Sequence, residues 1–131
     1  MTSRRLSVLV VIHSRRTLRL VASALLSEGH HIYIAASGAE ALVHFTPHRC
    51  DLVVTDFDFA SPDGFELAEC IRRRSPAQRI LFLAGEAGRR LADGTSRDVE
   101  MLFGEPFTLE AVASAVRQLG DQRTPASFAT V

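Results

Sequence analysis

Lysine and tryptophan are absent from this chain, tyrosine occurs once and cysteine twice. Each scarcity closes a class of function. Two thiols, Cys50 and Cys70, cannot staple a disulfide scaffold and show no metal-ligand spacing, so they read as reduced core thiols of a cytosolic protein. One tyrosine and no tryptophan leave little aromatic surface on which a flat cofactor ring would stack. Fifteen arginines balance fifteen acidic residues, with a pI of about 7.0. No global field therefore gathers nucleic acid or an anionic membrane. No segment approaches the roughly 18 apolar residues of a membrane span. The basic start MTSRRLSVLVVIHSRR has an apolar run, Val8 to Ile12, that is too short for a secretory signal and lacks a small-residue cleavage site. It reads as a first strand.

What is present is the material of one domain: 131 residues, 47% of them hydrophobic. Five β-type runs alternate with helical patterns, at 8–12 (VLVVI), 31–35 (HIYIA), 52–56 (LVVTD), 79–84 (RILFLA) and 100–104 (EMLFG). This alternation predicts a parallel sheet covered by helices on both faces. Leu18, Val21, Ala22, Leu25 and Leu26 recur at helical spacing, and Gly29 stands where that helix would stop. Ser37 with Glu40 and Asp63 with Glu66 spell two capping boxes. They open helices carrying Ala41, Leu42 and Phe45 in one case, and Phe65, Leu67, Ala68 and Ile71 in the other. Thr108 caps a last helix with Leu109, Val112, Ala113, Val116 and Leu119 on its buried side. The fourth connection, GEAGRRLADGTSRD at 85–98, holds three glycines and few apolar positions, so any helix there is short, frayed or absent. The domain is expected over 1–119, with a disordered tail over 120–131.

Ligands of a doubly wound parallel sheet sit beyond the carboxyl ends of the strands, at the switch in strand order. Here those ends deliver Ile12, His13 and Ser14, then Asp56, Phe57 and Asp58, then Ala84 and Gly85, then Glu105 and Pro106. The stretches SGAEAL (37–42), DLVVTD (51–56), SPDGFEL (61–67) and EPFTLEAV (105–112) together make the chain resemble the receiver domain of bacterial two-component response regulators. The resemblance runs over about residues 6–119. It implies a flavodoxin-like fold, a five-stranded sheet in the order 2-1-3-4-5 with right-handed crossovers. It also makes Asp56 the phosphoacceptor equivalent and brings the backbone carbonyl of Asp58 to a Mg²⁺ site.

Measured against that family, the site is degenerate. Receivers end the first strand in an acidic pair that holds the cation; those positions are Ile12 and His13. A hydroxyl residue follows their fourth strand; here it is Ala84. A lysine precedes their cis-type proline; here Glu105 precedes Pro106, and no lysine exists elsewhere to substitute. The aromatic switch position of the fifth strand falls on Leu102, next to Phe103. Phosphoryl transfer to a carboxylate depends on a metal and cationic donors that neutralise the moving oxygens. Asp56 with one carbonyl is a poor remainder for Mg²⁺. Exchanging a cation for Glu105 also turns attraction into repulsion, roughly 4 kcal/mol for unit charges about 4 Å apart at an effective dielectric of about 20. No cofactor is expected, and Mg²⁺ binding should be weak or absent.

The residues leave several readings open. His13, Arg15 and Arg16 lie on the loop facing Asp56, and one of them is the expected partner of its carboxylate. His13, Asp56, Asp58 and Glu105 make either a transition-metal site or, more simply, salt bridges and solvated acids. His30 and His31, and the pair His44 and His48, read as solvated surface rather than as a metal or pH sensor. Arg72, Arg73 and Arg74 suit the end of a helix dipole better than a nucleic-acid contact. Phe57 and Phe59 are either core or contact residues. The expectation is a non-enzymatic, cytoplasmic signalling domain that acts by protein contact. Its partner is a histidine kinase, an output protein or a second copy bound through 85–119, with no nucleic acid and no membrane. Two rivals remain: a receiver still phosphorylated on Asp56 by a histidine kinase, and a small-ligand sensor binding at the strand ends.

Overall fold

A computed structural model describes residues 5–56, 63–84, 100–103 and 108–121. Five strands, β1 (Ser7–Val11), β2 (His31–Ala35), β3 (Leu52–Thr55), β4 (Ile80–Ala84) and β5 (Glu100–Phe103), form one sheet in the order β2-β1-β3-β4-β5. Every neighbouring pair is parallel. The four helices among the described residues are α1 (Arg15–Ser27), α2 (Gly38–His44), α3 (Gly64–Arg74) and α4 (Leu109–Asp121). The flavodoxin-like expectation is met. The candidate helix of the fourth connection, the tail beyond 121, and Phe57, Asp58, Phe59, Glu105 and Pro106 lie outside the described residues.

The sheet is a continuous apolar layer because both of its faces are covered. Val8, Val10 and Ile12 point to one side with Leu18, Val21 and Leu25 of α1 and Val112, Val116 and Leu119 of α4. Leu9, Val11, Val53, Ile80 and Phe82 point to the other side, against Ala41 of α2 and Leu67 and Ile71 of α3. On that second face, Phe65 and Phe82 meet with ring centroids 5.0 Å apart and planes tilted by 56°. The period of two along β1 thus distributes one strand between two cores.

Helix ends follow the capping logic read from the sequence. Asp63 Oδ1 accepts from the Glu66 amide and Glu66 Oε1 accepts from the Asp63 amide, both at 2.9 Å, a complete capping box. Ser37 Oγ accepts from the Glu40 amide at 3.1 Å, while Glu40 reaches the Ala36 amide instead of the cap's own. Thr108 Oγ1 accepts from the Ala111 amide at 3.0 Å. We expect Asp63→Ala to cost about 1 kcal/mol in a urea titration, because it orphans the Glu66 amide and releases Glu66. Gly29 closes α1 with φ +95°: its amide donates to Leu26 O and the His30 amide to Leu25 O. That pair of bonds is a Schellman motif, which requires a residue tolerant of left-handed backbone at Gly29.

Three expectations are corrected. Leu26 and Leu109 are exposed: Leu26 lies on the flank of the buried stripe of α1, and Leu109, in the first turn of α4, keeps the spacing of the stripe without being covered by the described residues. His44, the last residue of α2, and His48 beyond it at φ 69° are both exposed, as expected of solvated surface. His44 lies 4.0 Å from Glu40 one turn earlier. Gly120 does not end the domain: α4 continues through it to Asp121. A Cβ on Gly120 would come within 2.9 Å of Leu6, so this glycine serves close packing. His30 is buried rather than solvated.

Candidate functional site

Asp56 follows β3 at the carboxyl edge of the sheet, half-buried. Its backbone is fixed from two sides: its amide donates to Val11 O at 3.2 Å, and its carbonyl accepts from Thr55 Oγ1 at 3.0 Å. The buried Thr55 hydroxyl satisfies itself locally and holds the strand exit. Asp56 is therefore anchored beside the end of β1, where a doubly wound fold places a ligand.

The neighbouring strand end carries no charge to match. Ile12 is 1% exposed and belongs to the apolar cluster under α1 and α4. Its amide donates to Ala35 O at 3.2 Å, so the backbone is tied into β2 while the side chain is turned inward. His13 is exposed beyond it, and Ser14 caps α1 by accepting from the Thr17 amide at 3.3 Å. Ala84 ends β4, paired with Phe103 in the parallel ladder, and Leu102 pairs with Leu83. The structure thus brings Ile12, His13, Asp56 and Ala84 to one edge of the sheet. Where the resemblance implies a pair of carboxylates for a cation, the chain offers a buried hydrocarbon and an exposed imidazole, and these do not fit Mg²⁺. Among the described residues, no group of three histidine, cysteine or acidic side chains converges on one point.

Of the residues expected to face Asp56, His13 is exposed just past the end of β1. Arg15 and Arg16 are exposed, and with Arg19 and Leu20 they line a shallow groove of about 360 Å³ on α1. This helix has no acid in its first turn, so its arginines stand at the positive end of the helix dipole.

Two titratable groups, one partly buried and one buried, lie away from this edge. The Cys50 thiol donates to Leu52 O at 3.3 Å, and burial pushes its pKa up to about 11. It is a core thiol with little nucleophilic character. His30, which sequence reasoning assigned to the surface, is 3% exposed and accepts the Leu6 amide on Nδ1 at 3.1 Å. Burial holds its pKa below the ordinary imidazole value. The signal for it was Gly29: a Schellman turn folds the residue after the glycine back onto its helix. Around it, Arg5 Nε donates to Gly29 O at 2.7 Å and Arg117 reaches Glu28 at 2.6 Å.

Comparison with known proteins agrees with this geometry. Residues 8–102 match the family model described as "Response regulator receiver domain". The transcriptional regulatory protein TcrA of Mycobacterium tuberculosis is 30% identical over 114 residues, covering 86% of this chain and 45% of TcrA. The sensor kinase CckA of Brucella abortus is 31% identical over 99 residues, 73% of this chain and 10% of the kinase. The regulatory protein GlrR of Escherichia coli is 28% identical over 111 residues, 84% of this chain and 25% of GlrR. The chain thus spans less than half the length of each of these relatives. Among solved structures, a response regulator receiver protein from Sinorhizobium medicae superposes with a TM-score of 0.76 at 28% identity, covering 92% of this chain and 98% of that one. The non-phosphorylated HemR receiver domain from Leptospira biflexa gives 0.78 at 23% identity, covering 88% and 94%.

Proposed function

Because the chain belongs to the response regulator receiver family, we propose that it serves two-component signalling as a receiver that acts through protein contact, without conventional magnesium-dependent phosphorylation of Asp56. The observation that carries this reading is Ile12. It closes the end of β1 with hydrocarbon, 1% exposed, at the position where the family sets an acidic residue against the cation. Three sequence features support the same conclusion: Ala84 lacks a hydroxyl, Glu105 stands in place of a cation, and the chain has no lysine. Asp56 then acts as a fixed structural carboxylate, and the domain catalyses no reaction of its own.

The working surface in this reading is residues 85–119, including β5 and α4, where Thr108, Leu109 and Glu110 are exposed. A histidine kinase, an output protein or a second copy is the partner class, and the setting is the cytoplasm. No helix among the described residues is long and apolar enough to cross a membrane.

The test is intact-mass measurement after incubation with acetyl phosphate and Mg²⁺, then Mn²⁺, beside an Asp56→Ala control. We expect no added phosphoryl mass on the folded protein. Added mass that disappears in the control would overturn the reading and make Asp56 a working phosphoacceptor.

A further inference from the structure

We propose that β2 is a self-complementary sheet edge through which two copies of this chain pair antiparallel, about a two-fold axis at Tyr33. The proposal rests on the fold and not on the reading of Asp56. β2 is the terminal strand of the sheet, opposite β5, so this contact leaves the β5 edge available.

The backbone sets the register. His31 N donates to Leu6 O and Ala35 O accepts from Ile12 N, so residues 31, 33 and 35 direct their polar groups to β1. By strand alternation, the amides and carbonyls of Ile32 and Ile34 point away from the sheet. No hydrogen bond among the described residues reaches them. In an antiparallel pair about Tyr33, Ile32 lies opposite the partner's Ile34, and Ile34 opposite the partner's Ile32. These are hydrogen-bonded positions, each pair exchanging two bonds, and Tyr33 meets its own copy at the non-hydrogen-bonded position between them. All four outward groups of each copy are thereby satisfied.

Side chains argue for a second copy as the occupant. The stretch IYI reads the same in both directions, as an isologous contact requires. Tyr33 is 60% and Ile34 is 49% exposed, large apolar surface on opposite faces of one edge. Edge strands are normally guarded by charge, proline or a bulge. β2 contains no charged residue other than a titratable His31 and no proline, and its register with β1 is unbroken. Pairing would place Ile32 and Ile34 of both copies on the face of α1, and the two tyrosines on the face of α2. Antiparallel pairing also runs α1 against the partner's α1. The basic end, Arg15, Arg16 and Arg19, then points toward the partner's Glu28 end, and the helix dipoles oppose. Charge is complementary under this symmetry, whereas a parallel arrangement would set arginine against arginine.

Sedimentation of the full chain from about 1 µM to about 1 mM tests the proposal, together with amide exchange at both ends of that range. We expect a concentration-dependent dimer in which the Ile32 and Ile34 amides gain protection. Tyr33→Lys puts like charges face to face at the axis and should raise the dissociation constant roughly tenfold or more. The Tyr33→Cys variant should form an intersubunit disulfide on mild oxidation, since Cα atoms at such positions lie about 4.5 Å apart. The wild type and Val43→Cys, whose native Val43 is 80% exposed on α2, should not. A monomer throughout overturns the proposal. A dimer that Tyr33→Lys leaves intact, or that fails to cross-link in the Tyr33→Cys variant, forms elsewhere and also overturns it. Protection of the Ile32 and Ile34 amides only after another protein is added would give the edge to a foreign strand and refute self-pairing.

Discussion

Ile12→Asp should destabilise the domain by about 4 kcal/mol or more at neutral pH, a large share of the roughly 5–15 kcal/mol that holds a domain of this size. Two effects add. Removing the isoleucine from a cluster shared by β1, α1 and α4 empties volume that the neighbours cannot refill, which for a large-to-small change costs about 2–5 kcal/mol. The carboxylate that replaces it must either stay charged in hydrocarbon or take up a proton, and either course adds to the loss. Burial raises a carboxyl pKa in the folded state, so the folded variant binds a proton that the unfolded chain has already released. The penalty therefore grows as pH rises through the ordinary carboxylate range and is smallest in acid. Urea titrations of the wild type, Ile12→Ala and Ile12→Asp at pH 5 and pH 7 separate the two effects. The alanine variant should lose the same amount at both pH values, and the aspartate variant more at pH 7. If aspartate is tolerated there within about 1 kcal/mol, water or a cation reaches the end of β1, and the proposed closure of the site is wrong.

A receiver that binds Mg²⁺ must keep the strand end polar and accessible. Here the same position completes a core. Burial of Ile12 and the proposed loss of a cation site would both follow from one side chain, which is why a single substitution addresses both.

Much of this was legible in the chain. Five runs of β-branched and apolar residues located the strands to within a residue or two, because a sheet covered on both faces needs uninterrupted hydrocarbon. The caps at Ser37, Asp63 and Thr108 were legible because their chemistry is local: a side-chain oxygen and an amide a few residues away. What escaped notice depends on contacts between distant segments. Leu26 and Leu109 repeat the apolar pattern of their helices, yet no other layer reaches them, and sequence spacing cannot report which side of a stripe is met. Gly120 was assigned to the tail because the close approach of Leu6, far away in sequence, is invisible locally. Ile12, His13 and Ala84 were legible at the carboxyl ends of the strands from the strand pattern, and only the family resemblance gave those positions an expected role.

His30 is the residue whose role was least legible, and its replacement carries the second largest expected effect. The Schellman turn at Gly29 folds it under the end of α1, where Nδ1 accepts the amide of Leu6 just ahead of β1. Accepting on Nδ1 requires the neutral ring with its proton on Nε2. Protonation would put a second N–H against the Leu6 amide and break the bond. Desolvation is the leading cause of the lowered pKa; Glu28 raises it and Arg117 lowers it, and since Glu28 and Arg117 pair with one another their influences largely oppose. With the folded pKa below the unfolded value of about 6.5, the unfolded chain takes up the proton first as pH falls. The contribution of His30 is thus fully present above about pH 6.5 and is lost as pH falls through the lower folded pKa. His30→Leu should cost about 1–3 kcal/mol at pH 7.5, because the buried Leu6 amide is left without an acceptor. His30→Asn should recover much of that loss, since its side-chain oxygen can accept in the position of Nδ1, and it cannot titrate. Urea titrations between pH 5 and pH 8 would show the wild type weakening below pH 6.5 while both variants respond less. A wild type whose stability rises on acidification through that window would mean that the charged ring is favoured in the folded state, contrary to its burial.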